Sequence, residues 1–281
     1  MSIWERLLRI DRKVIFIVMA VLVLFPLLKP LGLGVSSGPR ARAVFDAVES
    51  IPSGKTLLIS VDFDPASMPE LYPMLVALMR HAFARNVKVL LCGLWITGAG
   101  LADKAVTEIP PEYGKEYGSD VVYLGWKAGV DAVILGMGEN IKNVFPVDYY
   151  GHPQDSLPMM QEVARLRDIP FMVAISAGTP GFADWLLYAQ SRYSLRVGAG
   201  VTAVSAADAY PYLQSGQLTG LLAGMKGAAE YEVLVARNGY STAYMPAVAA
   251  MDSQSLAHLV ILVLVIVGNV AFFASRMRKG R

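Results

Sequence analysis

The chain is poor in the residues that most enzymes and disulfide scaffolds depend on. Among its 281 residues there is one cysteine, Cys92, and three histidines, His81, His152 and His258, widely separated along the chain. A lone cysteine excludes an internal disulfide and a paired-cysteine metal knuckle. Cys92 lies within the apolar run 87–94 and reads as a small core residue rather than a nucleophile. Scattered histidines argue against a histidine-based metal site. Charge is also scarce: 17% of residues are charged, against about 25% in an ordinary soluble domain. The net charge of +2 comes without a basic stripe interleaved with aromatics, so nucleic acid is not an expected partner.

What replaces charge is apolar sequence, 54% of the chain, and two uninterrupted runs account for part of it. Residues 14–28 read VIFIVMAVLVLFPLL, and 256–274 read LAHLVILVLVIVGNVAFFA. The second is close to the roughly 20 apolar residues that cross a bilayer, with His258 and Asn269 near its ends. The first is shorter. Snorkelling of Lys29 lets residues 30–35 complete a crossing, and Pro26 kinks the exit. Arg6, Arg9, Arg12 and Lys13 precede the first run, and Arg276, Arg278, Lys279 and Arg281 follow the second. The positive-inside rule then places both termini in the cytoplasm and the middle of the chain outside the cell membrane, despite Arg40 and Arg42 on the opposite side. A cleaved signal peptide fits the first run less well, because Ala41-Arg-Ala43 lies well past it. The expected organisation is a cytoplasmic N-terminus (1–13), a first transmembrane helix (14–35), an extracytoplasmic domain (36–254), a second transmembrane helix (255–275) and a basic cytoplasmic tail (276–281).

Between the runs, short apolar segments alternate with helical spacing. Strands are expected at 55–62, 87–95, 121–125, 170–176 and 195–204. Helices are expected at 41–49, 69–85, 98–106, 132–145, 157–167 and 182–192, with 210 to about 236 mostly helical. Continuous apolar strands alternating with helices imply a parallel sheet covered on both faces. The fold class is α/β: a five-stranded, mostly parallel sheet sandwiched by helices, of flavodoxin-like or Rossmann-like type.

Ligands of such sheets bind beyond the carboxyl ends of the strands. Three loops there carry polar residues: Asp62-Phe-Asp64-Pro-Ala-Ser67, Ser176-Ala-Gly178-Thr179-Pro-Gly181, and Ser205-Ala-Ala-Asp208. Asp62 and Asp64 could hold a divalent cation with Ser67 nearby, and 176–181 could turn backbone N–H groups toward an anion. Neither completes a motif. Pro65 and Ala66 stand where a phosphatase of the haloacid dehalogenase class needs a small residue and threonine, and Asp64 stands where an adhesion-type metal site needs serine. Helix capping by Asp64 or Ser67 is the simpler reading. The 176–181 loop lacks Walker and G-x-G-x-x-G spacing, and the phosphate loop a flavin needs after the first strand is missing. No cofactor is expected, no catalytic residue can be named from the sequence, and the reading leans away from an enzyme without deciding it.

The least ordinary stretch is 216–227. Read as a helix, it stacks Gly216, Gly220 and Gly224 on one face, with Gly227 following, at about 1 kcal/mol each relative to alanine. Such a face permits close helix approach, against the chain's own sheet or against another subunit.

The segments PYLQSGQLTGLLAGMKGAAEYE (211–232) and NVFPVDYYG (143–151) resemble a prokaryotic membrane-anchored family to which no activity is attached. The resemblance implies membrane anchoring around an α/β domain and no particular chemistry. Double anchoring, the lack of a complete active-site motif and the glycine face make a non-catalytic, doubly anchored subunit of an oligomeric or multi-protein membrane assembly the first expectation, with the lipid bilayer, further copies or other membrane subunits as partners. The alternative is a membrane-tethered enzyme or ligand-binding domain using the strand-end crevice.

Overall fold

The computed structural model describes residues 11–33 and 35–279. The chain divides into two units, 35–247 and the two flanking segments 1–34 with 248–281. Of the residues used for orientation, Arg6, Arg9 and Arg281 lie outside the described residues, as does most of the expected 1–13 segment.

In the flanking unit, helix α1 spans Arg12–Leu28. At 1.5 Å per residue it is about 26 Å long, and its apolar side chains are largely exposed. The helix does not continue to residue 35 as expected. Lys29 is extended (φ −141°, ψ 96°), the conformation imposed on a residue preceding proline, here Pro30. The final helix of the chain covers Pro246–Lys279, about 51 Å, and starts nine residues earlier than expected. Its stretch Pro246–Ala274 is long and apolar enough to cross a membrane.

The N–H groups of the extended segment after α1 have no helical or strand partner and are taken up by a side chain. Asp252 of the final helix supplies it. Its Oδ2 accepts the N–H groups of Leu31 (2.7 Å) and Gly32 (2.8 Å), and its Oδ1 accepts that of Leu33 (2.8 Å). Gly32 holds φ +66°, a conformation glycine adopts without steric cost, and this turns three successive N–H groups onto one anion. The Ser253 hydroxyl lies against the Val23 carbonyl of α1 at 2.9 Å. Asp252→Ala strips all three N–H groups of their acceptor. In detergent, chymotrypsin should then cleave after Leu31 or Leu33 about tenfold faster, the change that about 1.4 kcal/mol of local opening produces. An unchanged cleavage rate would show that the contact holds nothing.

The central unit opens with α2 (Pro39–Glu49) and β1 (Thr56–Asp62). It continues through α3 (Met68–Ala84), β2 (Lys88–Gly93), α4 (Ala99–Glu108) and β3 (Val121–Trp126). After α5 (Val130–Glu139) come β4 (Phe171–Ser176) and a helix over 182–193, α6, which includes a π turn at Leu186–Gln190. The last elements are β5 (Val197–Val201), α7 (Ala206–Gln214), β6 (Leu218–Ala223) and α8 (Gly224–Arg237). The long helix from Pro246 is α9. All neighbouring strands pair in parallel, in the order β3-β2-β1-β4-β5-β6. This is the strand order of Rossmann-like sheets, with helices on both faces. β1, β4 and β5 are buried throughout, which is why they read as mainly apolar runs, with Ser60 and Asp62 as buried polar exceptions in β1 and Ser176 at the end of β4.

The sheet has six strands, not five, and the sixth is the stretch expected to be helical. Gly216 (φ +75°) and Gly224 (φ +59°) take left-handed conformations on either side of Leu218–Ala223, and neither continues a helix. Pairing with β5 then satisfies the backbone between them. The shared helical face of Gly216, Gly220 and Gly224 therefore does not exist. Gly220 sits mid-strand under α2, where a Cβ would lie 2.7 Å from the Val44 nitrogen and 3.0 Å from the Arg40 carbonyl. Gly227 lies in α8 against the Leu222 backbone. Both close approaches are made inside the domain.

A helix expected over 157–167 is replaced by short 3₁₀ turns at Pro158–Gln161 and Leu166–Asp168. Pro158 keeps Leu157 extended, and the Asp168 carboxylate takes the N–H groups of Ala164 and Arg165 (3.0 Å each), which a continuous helix would use internally.

Candidate functional site

β1 and β4 are adjacent in the sheet but separated in the chain by β2 and β3, so the strand order reverses between them. The loops after β1, β4 and β5 all emerge at the carboxyl edge near this reversal, where open α/β sheets hold ligands.

Asp62 closes β1 and does not face the crevice. It is fully buried. Its Oδ2 accepts the Ser60 hydroxyl at 2.5 Å and its Oδ1 accepts the Leu94 N–H at 2.6 Å. Burial raises its pKa to about 7; the hydrogen bonds from Ser60, Leu94 and Trp95 oppose the rise, and the Asp184 charge adds to it. Cys92 is buried nearby, its thiol pushed up by burial and then by the Asp62 charge, consistent with an inert core position. Asp64 belongs to the following turn, where its Oδ1 accepts the Ser67 N–H at 3.0 Å. Ser67 is the N-cap residue of α3 and makes no side-chain capping bond. The D-x-D spacing therefore gives one carboxylate to the core and one to a turn. Among the described residues, no group of three or more His, Cys, Asp or Glu side chains is placed to hold a metal ion.

The loops after β4 and β5 enclose a cleft of about 530 Å³. Ser176, Gly178, Thr179 and Asp208 line it, so four of the sequence candidates converge. Ser176 is buried and paired in register with Asp62, and its Oγ accepts the Phe182 N–H at 3.4 Å. Gly181 admits no side chain, since a Cβ would lie 2.5 Å from both the Gly178 carbonyl and the Ser176 Oγ. Trp95 buttresses the loop by donating its indole N–H to the Pro180 carbonyl at 2.7 Å. Asp208 lies in the first turn of α7 and is exposed. Ser205, also lining the cleft, donates to the Ala177 carbonyl at 3.2 Å and so ties the two loops together.

The wall contains residues that were not singled out from the sequence: Asp184, Phe182 and Tyr212. Asp184 was legible in principle, as an acid three residues after Gly181 at a helix start. Its Oδ2 accepts the Gly181 N–H at 2.8 Å. A backbone donor that an incoming anion would need is thus already held by a carboxylate. Asp184 and Asp208 both line the cleft, and among the described residues no lysine or arginine does. Electrostatically the cleft suits hydroxyl or amine donors over phosphate. Phe182 and Tyr212, edge to face at 5.7 Å, give it an apolar wall.

No protein-family model matches the chain, and neither the curated proteins nor the solved structures include a significant match. The resemblance carried by residues 143–151 and 211–232 gains no support from these comparisons.

Proposed function

We propose that the chain is a membrane-tethered binding protein whose α/β domain receives a small polar molecule in the cleft between the β4 and β5 loops. The observation that carries this reading is the cleft itself: about 530 Å³, at the carboxyl edge, next to the strand reversal. Asp184 and Asp208 accept hydrogen bonds from ligand hydroxyl or ammonium groups, Ser176 and Ser205 supply further polar contacts, and Phe182 and Tyr212 cover an apolar part of the ligand. Asp62 stands behind the wall as a structural group.

Two anchors remain part of the proposal. The helix Pro246–Ala274 is one. The Asp252 contact with residues 31–33 supports α1 as its companion, because it satisfies backbone groups that lipid would leave bare. With both termini in the cytoplasm, the cleft would sample the extracytoplasmic side. The reading as an assembly subunit loses one of its three motives, the glycine face, since Gly220 and Gly227 are occupied by contacts within the domain.

The test is a ligand screen on the detergent-solubilised full chain by thermal shift, with amino acids, polyamines, polyols and phosphorylated sugars. Amine or polyol ligands should raise the unfolding midpoint, and Asp208→Asn should weaken them about tenfold, the loss of one charge-assisted hydrogen bond. Stabilisation by phosphorylated compounds alone would contradict the electrostatic reading, and no response to any class would contradict the binding function.

A further inference from the structure

A second constructed surface lies on the outer edge of the sheet, at the loop that follows the short helix Ile141–Val144. This loop, residues 145–153, folds around its own carboxylate. Asp148 is buried and accepts four hydrogen bonds. Its Oδ1 takes the N–H groups of Tyr150 (3.0 Å) and His152 (2.8 Å). Its Oδ2 takes the Tyr117 hydroxyl (2.7 Å) and lies 3.0 Å from His152 Nδ1. Burial works against the charge on Asp148, but the Tyr117 and His152 hydrogen bonds outweigh it and hold the carboxyl below its ordinary range. An ionised carboxylate only accepts, so His152 Nδ1 is the donor. In the neutral ring Nε2 is then the bare acceptor. The imidazole is half exposed, with 54% of its side chain accessible. A buried, saturated carboxylate thus fixes the tautomer and orientation of an exposed proton acceptor.

Aromatic rings surround it. Tyr117 and Tyr150 meet edge to face at 5.0 Å, Tyr149 and Tyr150 at 5.3 Å, and His152 stands 6.3 Å from Tyr150. Tyr149 and Tyr150 remain more than 40% exposed although both are anchored. The Tyr149 N–H donates to the Tyr123 carbonyl at 2.9 Å, and the Tyr150 hydroxyl donates to Asp103 at 2.5 Å. Beside them is a cleft of about 470 Å³ lined by Tyr117, Tyr150, Thr107 and Lys115. Lys115, Asp103 and Asp148, the charged groups in contact with these rings or lining the cleft, are already engaged. Lys115 binds Asp120 (3.2 Å) and Asn86 (2.6 Å), Asp103 holds the Tyr150 hydroxyl, and Asp148 has no acceptor position to spare.

We propose that this surface binds an uncharged, hydroxyl-bearing ring ligand, a neutral sugar, with His152 Nε2 accepting a hydroxyl proton in a hydrogen bond and the Tyr149 and Tyr150 rings packing on the apolar face of the sugar. Each property of the site selects one property of the ligand. Paired charges leave nothing for an ionic ligand to neutralise. A fixed acceptor requires a donor. Ordered, half-exposed aromatic rings favour a ligand with a flat C–H face. The site is separate from the cleft at the β4 and β5 loops, and shares no lining residue with it.

The experiment uses the full chain in detergent and follows binding of three neutral probes, cellobiose, maltose and N,N′-diacetylchitobiose, at up to tens of millimolar by saturation-transfer NMR. At least one probe should bind. His152→Ala and Tyr149→Ala should each weaken it more than tenfold in samples whose circular dichroism shows the natural fold, and Asp208→Asn should leave it unchanged. The last variant separates this site from the cleft of the proposed function, so that either can fail alone. No binding by any probe overturns the proposal, and so does binding that survives His152→Ala undiminished.

Discussion

Gly220→Val should lower the unfolding midpoint of the chain by roughly 5–10 °C, without changing its oligomeric state. The added side chain starts 2.7 Å from the Val44 nitrogen and 2.8 Å from Val44 Cγ2, with the Arg40 carbonyl at 3.0 Å. Two of these atoms belong to the backbone of α2, which cannot rotate out of the way as a side chain can. Relief requires α2 to move off the sheet. Forced overpacking of this kind costs about 1–3 kcal/mol or more, and in a domain of this size each kcal/mol is worth roughly 2–4 °C. Calorimetry and native mass measurement on the same sample separate the two readings of this glycine. A drop in midpoint at unchanged mass places its role in the fold. A changed mass at unchanged midpoint would restore a subunit contact.

Asp62→Asn should produce a stability change that depends strongly on pH. The folded-state pKa of Asp62 is raised to about 7, from an ordinary value of 3.8. The folded protein therefore holds a proton that the unfolded chain releases. The stability linked to this proton is fully present below about pH 4 and is lost as the pH rises through about 7. The gap corresponds to on the order of 4 kcal/mol. Asparagine keeps an oxygen for the Leu94 N–H and offers an NH₂ group to Ser60, but never ionises. Relative to the natural protein, Asp62→Asn should gain on the order of 4 kcal/mol between pH 4 and pH 8.

His81 pulls the other way. It is fully buried, with Nδ1 2.7 Å from the Tyr231 hydroxyl and Nε2 3.0 Å from Glu49, and stacked between Phe45 (4.3 Å) and Tyr240 (5.2 Å). Burial lowers its pKa to about 4, against the opposing pull of Glu49. Its linked stability is lost as the pH falls from about 6.5 toward 4. In the natural protein the two groups oppose each other across that window and flatten the profile. In Asp62→Asn the His81 contribution stands alone, and stability should climb by up to about 1.4 kcal/mol per pH unit from pH 4 to 6.5. Urea unfolding at pH 4.5, 6 and 8 measures this directly. A difference between variant and natural protein that stays constant with pH would mean that Asp62 is not the buried acid described here.

These expectations also mark where local reading succeeds. Five of the six strands were legible because parallel strands covered on both faces carry mostly apolar side chains, as Leu57–Ile59, Val89–Leu91, Val121–Val122 and Met172–Ile175 do in four of them. The apolar part of the last helix, 256–274, was legible because length and composition are properties of a continuous segment, while its start at Pro246 was not. The convergence of the loops after β4 and β5 was legible because strand direction places their ends on one edge.

What stayed hidden depends on residues far apart in sequence. Residues 218–223 carry glycine and leucine at spacings that suit a helix, and they became strand because the open edge of β5 offers backbone partners and α2 offers a space that only Gly220 fits. Asp62 and Asp64 look equivalent in a line of letters. The chain's path after Asp62 turns one carboxylate onto the Leu94 N–H and the other onto its own turn. Asp184 entered the cleft, and Tyr117 reached Asp148 across 31 positions, only once the sheet had closed. Composition and periodicity are short-range quantities and reach the strands buried on both faces and the long apolar helix. Which carboxylate is sealed, which is offered and which histidine nitrogen is bare are set by long-range hydrogen bonds that exist only in the packed chain.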